Sequence, residues 1–149
     1  MAGRLTMDAW PIEEIPDQES LFYRVPVAWL RPADLNIIPG VFRENKGSIS
    51  TDWDKYSTAA ETRSRQGGPE RFAVLKMIVG RVREISELTV LHEPIQNVEG
   101  QSDNRAHSSI YGLESSANTI PDLGRKEKIR TELHDKFNLW AIPPHAPVE

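Results

Sequence analysis

One stretch near the end of this chain repeats its apolar residues at the spacing of an α-helix with no glycine or proline to interrupt it. Ile129, Leu133, Phe137 and Trp140 follow at intervals of four, four and three, with Lys, Glu, Arg and Asp between them, which predicts a helix over 125–140 with one apolar stripe. Pro143-Pro144 ends it and leaves an extended tail over 143–149. A single stripe cannot bury itself, so the rest of the chain must supply a surface for it.

Elsewhere the apolar residues come in short runs bounded by proline or glycine, the pattern of strands. Leu21-Phe22-Tyr23-Arg24-Val25 is aromatic and β-branched and stops at Pro26; alternation puts Leu21, Tyr23 and Val25 on one face and Phe22 and Arg24 on the other. Ser48 to Trp53 is a second short strand. Phe72, Leu75, Val79, Val82 and Ile85 also fit helical spacing, but a helix there would carry Gly80 in its middle and expose Val74 and Ile78. A strand over 72–79 that bends at the glycine is therefore preferred. Thr89-Val90-Leu91-His92, ending at Glu93-Pro94, and a segment over 106–111 complete the set. Thr58-Ala-Ala-Glu61 matches a capping box and opens a polar surface helix over 58–66 that stops at Gly67-Gly68-Pro69. Residues 27–47 and 113–124 read as loops, the first with room for a helical turn at Pro32-Ala33-Asp34-Leu35. The expectation is a single α+β domain: a mixed or largely antiparallel sheet with two main helices, its strand order left open by the pattern.

With 149 residues the chain fits one domain, taken as 20–142. Residues 1–19, with Pro11, Pro16 and the acidic Glu13, Glu14, Asp17 and Glu19, read as an N-terminal arm that Trp10 can pin to the body.

Composition then limits the chemistry. No cysteine is present, which removes disulfides, thiolate nucleophiles and cysteine-ligated metals together. The net charge is -4 with basic and acidic residues intermingled, so the basic face of a nucleic-acid binder is not expected. No apolar run is long enough to span a bilayer, and the first residues lack the apolar core of a signal peptide, so a soluble cytoplasmic protein without a membrane partner is expected. The glycine-rich nucleotide loops, the His-Glu-x-x-His zinc motif and the Gly-x-Ser-x-Gly elbow do not occur.

What remains is the segment Asn104 to Gly112. Imidazole is the side chain suited to acid and base work near neutral pH, which makes His107 the catalytic candidate; on a strand, Ser109 shares its face while Ser108 and Ile110 take the other. The same residues fit a structural role, His107 bonded to a backbone carbonyl and Asn104 closing an Asx turn. His92, Glu93 and Asp103 match no compact ligand spacing, so no metal is assigned.

The ordered blocks Phe22-Tyr23-Arg24-Val25, Ser48 to Trp53, Leu91 to Ile95 and Asn104-x-x-His107-Ser108-x-Ile110-x-Gly112 resemble a family of small bacterial proteins of uncharacterised function, over residues 21–112. The first two blocks are also similar to the ADP-ribosyltransferase-like superfamily, in which a first-strand arginine and a serine-rich strand line an NAD pocket. That resemblance implies NAD as cofactor, Arg24 in contact with it, and Ser50 and Thr51 bracing it. It also implies a late catalytic glutamate, for which the chain offers Glu93 or Glu114 without the family's surrounding motif.

Two functions follow. One is a small enzyme acting on an NAD-like or nucleotide ligand, with Arg24 holding an anionic group, Ser50, Thr51, Asn104 and Ser109 orienting it, and His107 as acid or base. The other is a non-catalytic interaction or accessory component of a multi-protein bacterial system, its partner a protein and the same residues structural. Oligomeric state is not set by either.

Overall fold

The computed structural model describes residues 8–113 and 120–148. Among these residues six strands form one antiparallel sheet: β1 (Ser20–Pro26), β2 (Ile49–Trp53), β3 (Phe72–Ile78), β4 (Thr89–His92), β5 (His107–Tyr111) and β6 (Trp140–Ile142), in the spatial order β4-β5-β2-β1-β3-β6. Among the described residues three α-helices connect them: α1 (Ala59–Ser64), α2 (Val79–Arg83) and α3 (Ile120–Lys136). The chain is a single-domain α+β fold. No helix among the described residues is long and apolar enough to cross a membrane.

The period-two pattern decides what each sheet face does. Leu21, Tyr23 and Val25 of β1, Ile49 and Trp53 of β2, Leu75 and Met77 of β3, Val90 of β4 and Ile110 of β5 are all buried in one cluster. Ile129 and Leu133 of α3, and Phe137 just past its end, belong to the same cluster, so the helical stripe found its sheet. α3 is held over the core partly through the segment 37–44: Arg130 Nε donates to the Phe42 carbonyl at 2.8 Å, and Lys126 and Arg130 both pair with Glu44.

Several local expectations are met in atomic detail. Thr58 and Glu61 form the reciprocal capping box of α1. Leu35 N–H donates to the Arg31 carbonyl at 2.7 Å, closing a helical turn inside the long loop. One expectation is met only in part: β3 ends at Ile78, which is 42% exposed, and the chain does not bend as a strand at Gly80 but enters α2. Gly80 is the second residue of that helix and lies against the arm, an added Cβ standing 3.0 Å from the Asp17 carbonyl oxygen. That close approach carries a hydrogen bond from Gly80 N–H to the same carbonyl at 2.8 Å.

The C-terminal region differs from expectation at both ends. α3 starts at Ile120, so residues 120–124 are helical rather than loop, with Pro121 in the first turn, where a backbone N–H would have no helical partner and the donor that proline lacks is not missed. Residues 114–119 of the expected loop lie outside the described residues. The helix stops at Lys136, and Trp140 reaches the rim of the core from β6 instead, because pairing with β3 satisfies backbone groups of both strands. Leu139, 65% exposed, marks the break. The tail beyond β6 is tied down: Arg63, 4% exposed, gives its guanidinium to the carbonyls of Phe72, Ala146 and Pro147.

The arm also packs. Ile15 joins the core, Glu19 accepts a hydrogen bond from Trp53 Nε1 at 2.7 Å, and Trp10 N–H bonds the Gln96 side chain. His92 receives the Glu13 N–H on Nδ1 at 3.0 Å and meets the Arg105 carbonyl through Nε2 at 2.7 Å. A carbonyl only accepts, so Nε2 carries the hydrogen and both ring nitrogens are used structurally.

Tyr23 supplies a pH test of the core. Its hydroxyl donates to the Val41 carbonyl at 2.6 Å, and burial pushes the phenol up to about 12. A folded-state value raised above the ordinary one near 10 means stability that is complete below pH 10 and is lost as pH climbs through 12. Two units correspond to about 2.7 kcal/mol. Urea titrations between pH 9 and 11.5 should show wild type losing stability more steeply than Tyr23→Phe; parallel losses would place the alkaline transition elsewhere.

Candidate functional site

The opposite face of the sheet is polar, and the strand register lays out its side chains in rows. Phe22 pairs with Asp52 and Asp52 with His107, giving one row across β1, β2 and β5. Two residues along, Ser50 pairs with Ser109, and Arg24 stands two residues beyond Phe22 on β1. Adjacent strands are about 4.8 Å apart and successive same-face residues about 7 Å, so these groups share one small surface. Helix α1, the turn at 45–48 and the loop at 100–104 wall it into a cleft of about 820 Å³. Arg24, Ser50, Thr51, Asn104, His107 and Ser109, the six residues singled out in the sequence, all line it.

They are not equivalent within it. Thr51 has the opposite parity to Ser50; it is buried, and its hydroxyl donates to the Ser108 carbonyl at 3.0 Å. The Asn104 side chain is engaged at both ends, Nδ2 donating to Asp52 Oδ1 at 2.8 Å and Oδ1 accepting the Ala106 N–H at 3.0 Å, the latter the Asx turn. These two residues shape the cleft through bonds made within the protein. Ser50 and Ser109 have no side-chain hydrogen bond among the described residues. His107 Nδ1 lies 2.8 Å from the Glu93 carbonyl, so it carries the hydrogen, and the neutral ring keeps a lone pair on Nε2, which has no partner among the described residues.

The charges are distributed unevenly. Every carboxylate lining the cleft is occupied: Asp52 by Thr62 Oγ1 at 2.7 Å, by Asn104 and by Arg65 Nε; Glu93 by the Tyr111 hydroxyl at 2.6 Å; Asp103 by the Asn97 N–H at 3.0 Å. Arg65 is matched by Asp52 and also bonds Ser57 at 2.9 Å. Arg24 and Lys46 have neither ion pair nor hydrogen bond among the described residues. The Arg24 guanidinium lies 4.7 Å from the centre of the Phe72 ring, and burial holds it below the usual arginine range, with Asp52 opposing that shift and Arg65 adding to it. Asp52 is the nearby carboxylate, but it is taken up by Arg65, Thr62 and Asn104 and makes no ion pair with Arg24, so this partly desolvated cation can still attract an anion.

Asp52, Thr62, Arg65, Phe22 and Lys46 were not picked out in the sequence. Asp52 had a readable signal, its shared parity with Ser50; Thr62 and Arg65 reach the site from a helix whose docking no local pattern encodes. Glu93 lines the cleft, and Glu114 lies outside the described residues. No group of three or more His, Asp and Glu side chains among the described residues is arranged to hold a metal ion. In comparisons with known proteins, the chain matches no family model, no curated protein sequence and no solved structure.

Proposed function

We propose that the polar-face cleft binds an anionic ligand of nucleotide or NAD-like size and that His107 acts on it as acid or base, making the protein a small enzyme. The observation that carries this reading is Arg24, a partly buried cation without an ion-pair or hydrogen-bond partner among the described residues, lining the same cleft as His107. A cleft of about 820 Å³ is within the range of small-molecule sites. Arg24 would hold the anionic group, and the Ser50 and Ser109 hydroxyls would orient it. His107 Nε2 would take or return a proton. The resemblance of the sequence blocks Phe22-Tyr23-Arg24-Val25 and Ser48 to Trp53 to the ADP-ribosyltransferase-like superfamily would put NAD among the candidates. What favours the other reading, a non-catalytic partner in a multi-protein system, is that Asp52, Glu93 and Asp103 all serve internal bonds, which leaves no free carboxylate among the described residues of the cleft.

A thermal-shift series with NAD, ADP-ribose and common nucleotides separates the two. A ligand at 100 times its Kd adds about 2.7 kcal/mol of stability. Arg24→Gln should weaken the binding about tenfold to a hundredfold, the loss of a charge-assisted contact. No shift with any of these ligands would leave the cleft to a protein partner.

A further inference from the structure

Phe22 is out of character with the face that carries it. It sits in the row Lys76-Phe22-Asp52-His107 between charged and polar side chains and lines the cleft partly buried. It belongs neither to the buried core nor to the partly buried hydrophobics packed on the core's rim. No aromatic or cation–π contact among the described residues covers its ring; the nearby Arg24 guanidinium stacks on Phe72 instead. Ile95 is the other large apolar residue of the lining, and it too stands outside the core. A phenyl ring only partly buried in a polar cleft leaves some apolar surface in water that a flat ligand would cover.

We infer that the ligand carries an aromatic ring that lies on Phe22, so that the cleft selects nucleoside phosphates over sugar phosphates or inorganic phosphate. The inference rests on the anion-binding reading given above and adds the second half of the ligand to it. Phe22 and Arg24 project from the same face of β1 two residues apart, about 7 Å, a separation that one nucleotide can bridge with its base on the ring and its phosphate at the guanidinium. Stacking tolerates any base, because each presents a π face, so Phe22 would set the class of ligand rather than the identity of the base.

Isothermal titration of the full chain with AMP, ribose 5-phosphate and inorganic phosphate tests this. AMP should bind about tenfold or more tighter than ribose 5-phosphate. Phe22→Leu should bring AMP down to the ribose 5-phosphate level without changing the latter, and Phe22→Tyr, which restores a ring, should recover the difference. Arg24→Gln should weaken both ligands. Equal binding of AMP and ribose 5-phosphate by wild type, or a difference that survives in Phe22→Leu, overturns the ring assignment while the anion site stands. No binding of any of the three overturns both.

Discussion

Leu133→Ala should lower the free energy of unfolding by about 2–5 kcal/mol, the range for removing a fully buried leucine side chain from a close-packed core. Leu133 is fully buried and lies one helical turn from both Ile129 and Phe137 in the cluster that also holds Leu21, Leu75 and Met77. Its loss would leave a cavity at the junction of α3 and the sheet, and the paired strands have little freedom to collapse into it. Leu123, on the same helix but 51% exposed, supplies the control: Leu123→Ala should stay within about 0.5 kcal/mol. Urea unfolding followed by circular dichroism measures both. A cost below about 1 kcal/mol for Leu133→Ala would mean that α3 does not seal the core.

That helix also illustrates what the sequence makes legible. Residues 129, 133 and 137 reveal their face because the helical period is a local property. Trp140 continues the same spacing and yet belongs to β6, since a residue at interval three fits a stripe as well as the start of a strand. Only the unpaired edge of β3, more than 60 residues away, decides between them. The five expected strands share that logic in reverse: their β-branched runs and proline or glycine boundaries are local, whereas their order, β4-β5-β2-β1-β3-β6, depends on long-range pairing.

The cleft follows the same division. Arg24, Ser50, His107 and Ser109 could be assigned to one type of face by parity alone, and the register then brought these faces together. The Asp52 hub could not be anticipated, because its partners Thr62, Arg65 and Asn104 arrive from a helix and a loop. Gly112, the last residue of the segment that holds His107, has a physical reason that only the fold discloses. Its φ is +128°, and a Cβ there would stand 2.2 Å from the Glu87 carbonyl oxygen.

His107→Asn should abolish turnover of any ligand that the cleft processes, by about 10²–10⁴-fold, while the melting transition stays near that of wild type. Asparagine can place its amide N–H close to where Nδ1 now donates to the Glu93 carbonyl, so the bond that fixes the ring is replaced. It offers nothing at the position of Nε2 that can take and return a proton near neutral pH. His107→Ala removes both functions, and comparing the two separates them. If His107 is an acid or base, both variants lose activity and only the alanine variant loses stability, by about 1 kcal/mol for the missing hydrogen bond. If its role is to anchor the β5 end to the Glu93 carbonyl, the asparagine variant keeps wild-type turnover and the alanine variant alone is impaired. Turnover measured with whichever nucleotide or dinucleotide binds, beside a thermal melt of each variant, distinguishes these outcomes, and retained activity in His107→Asn would remove His107 from the chemistry of the cleft.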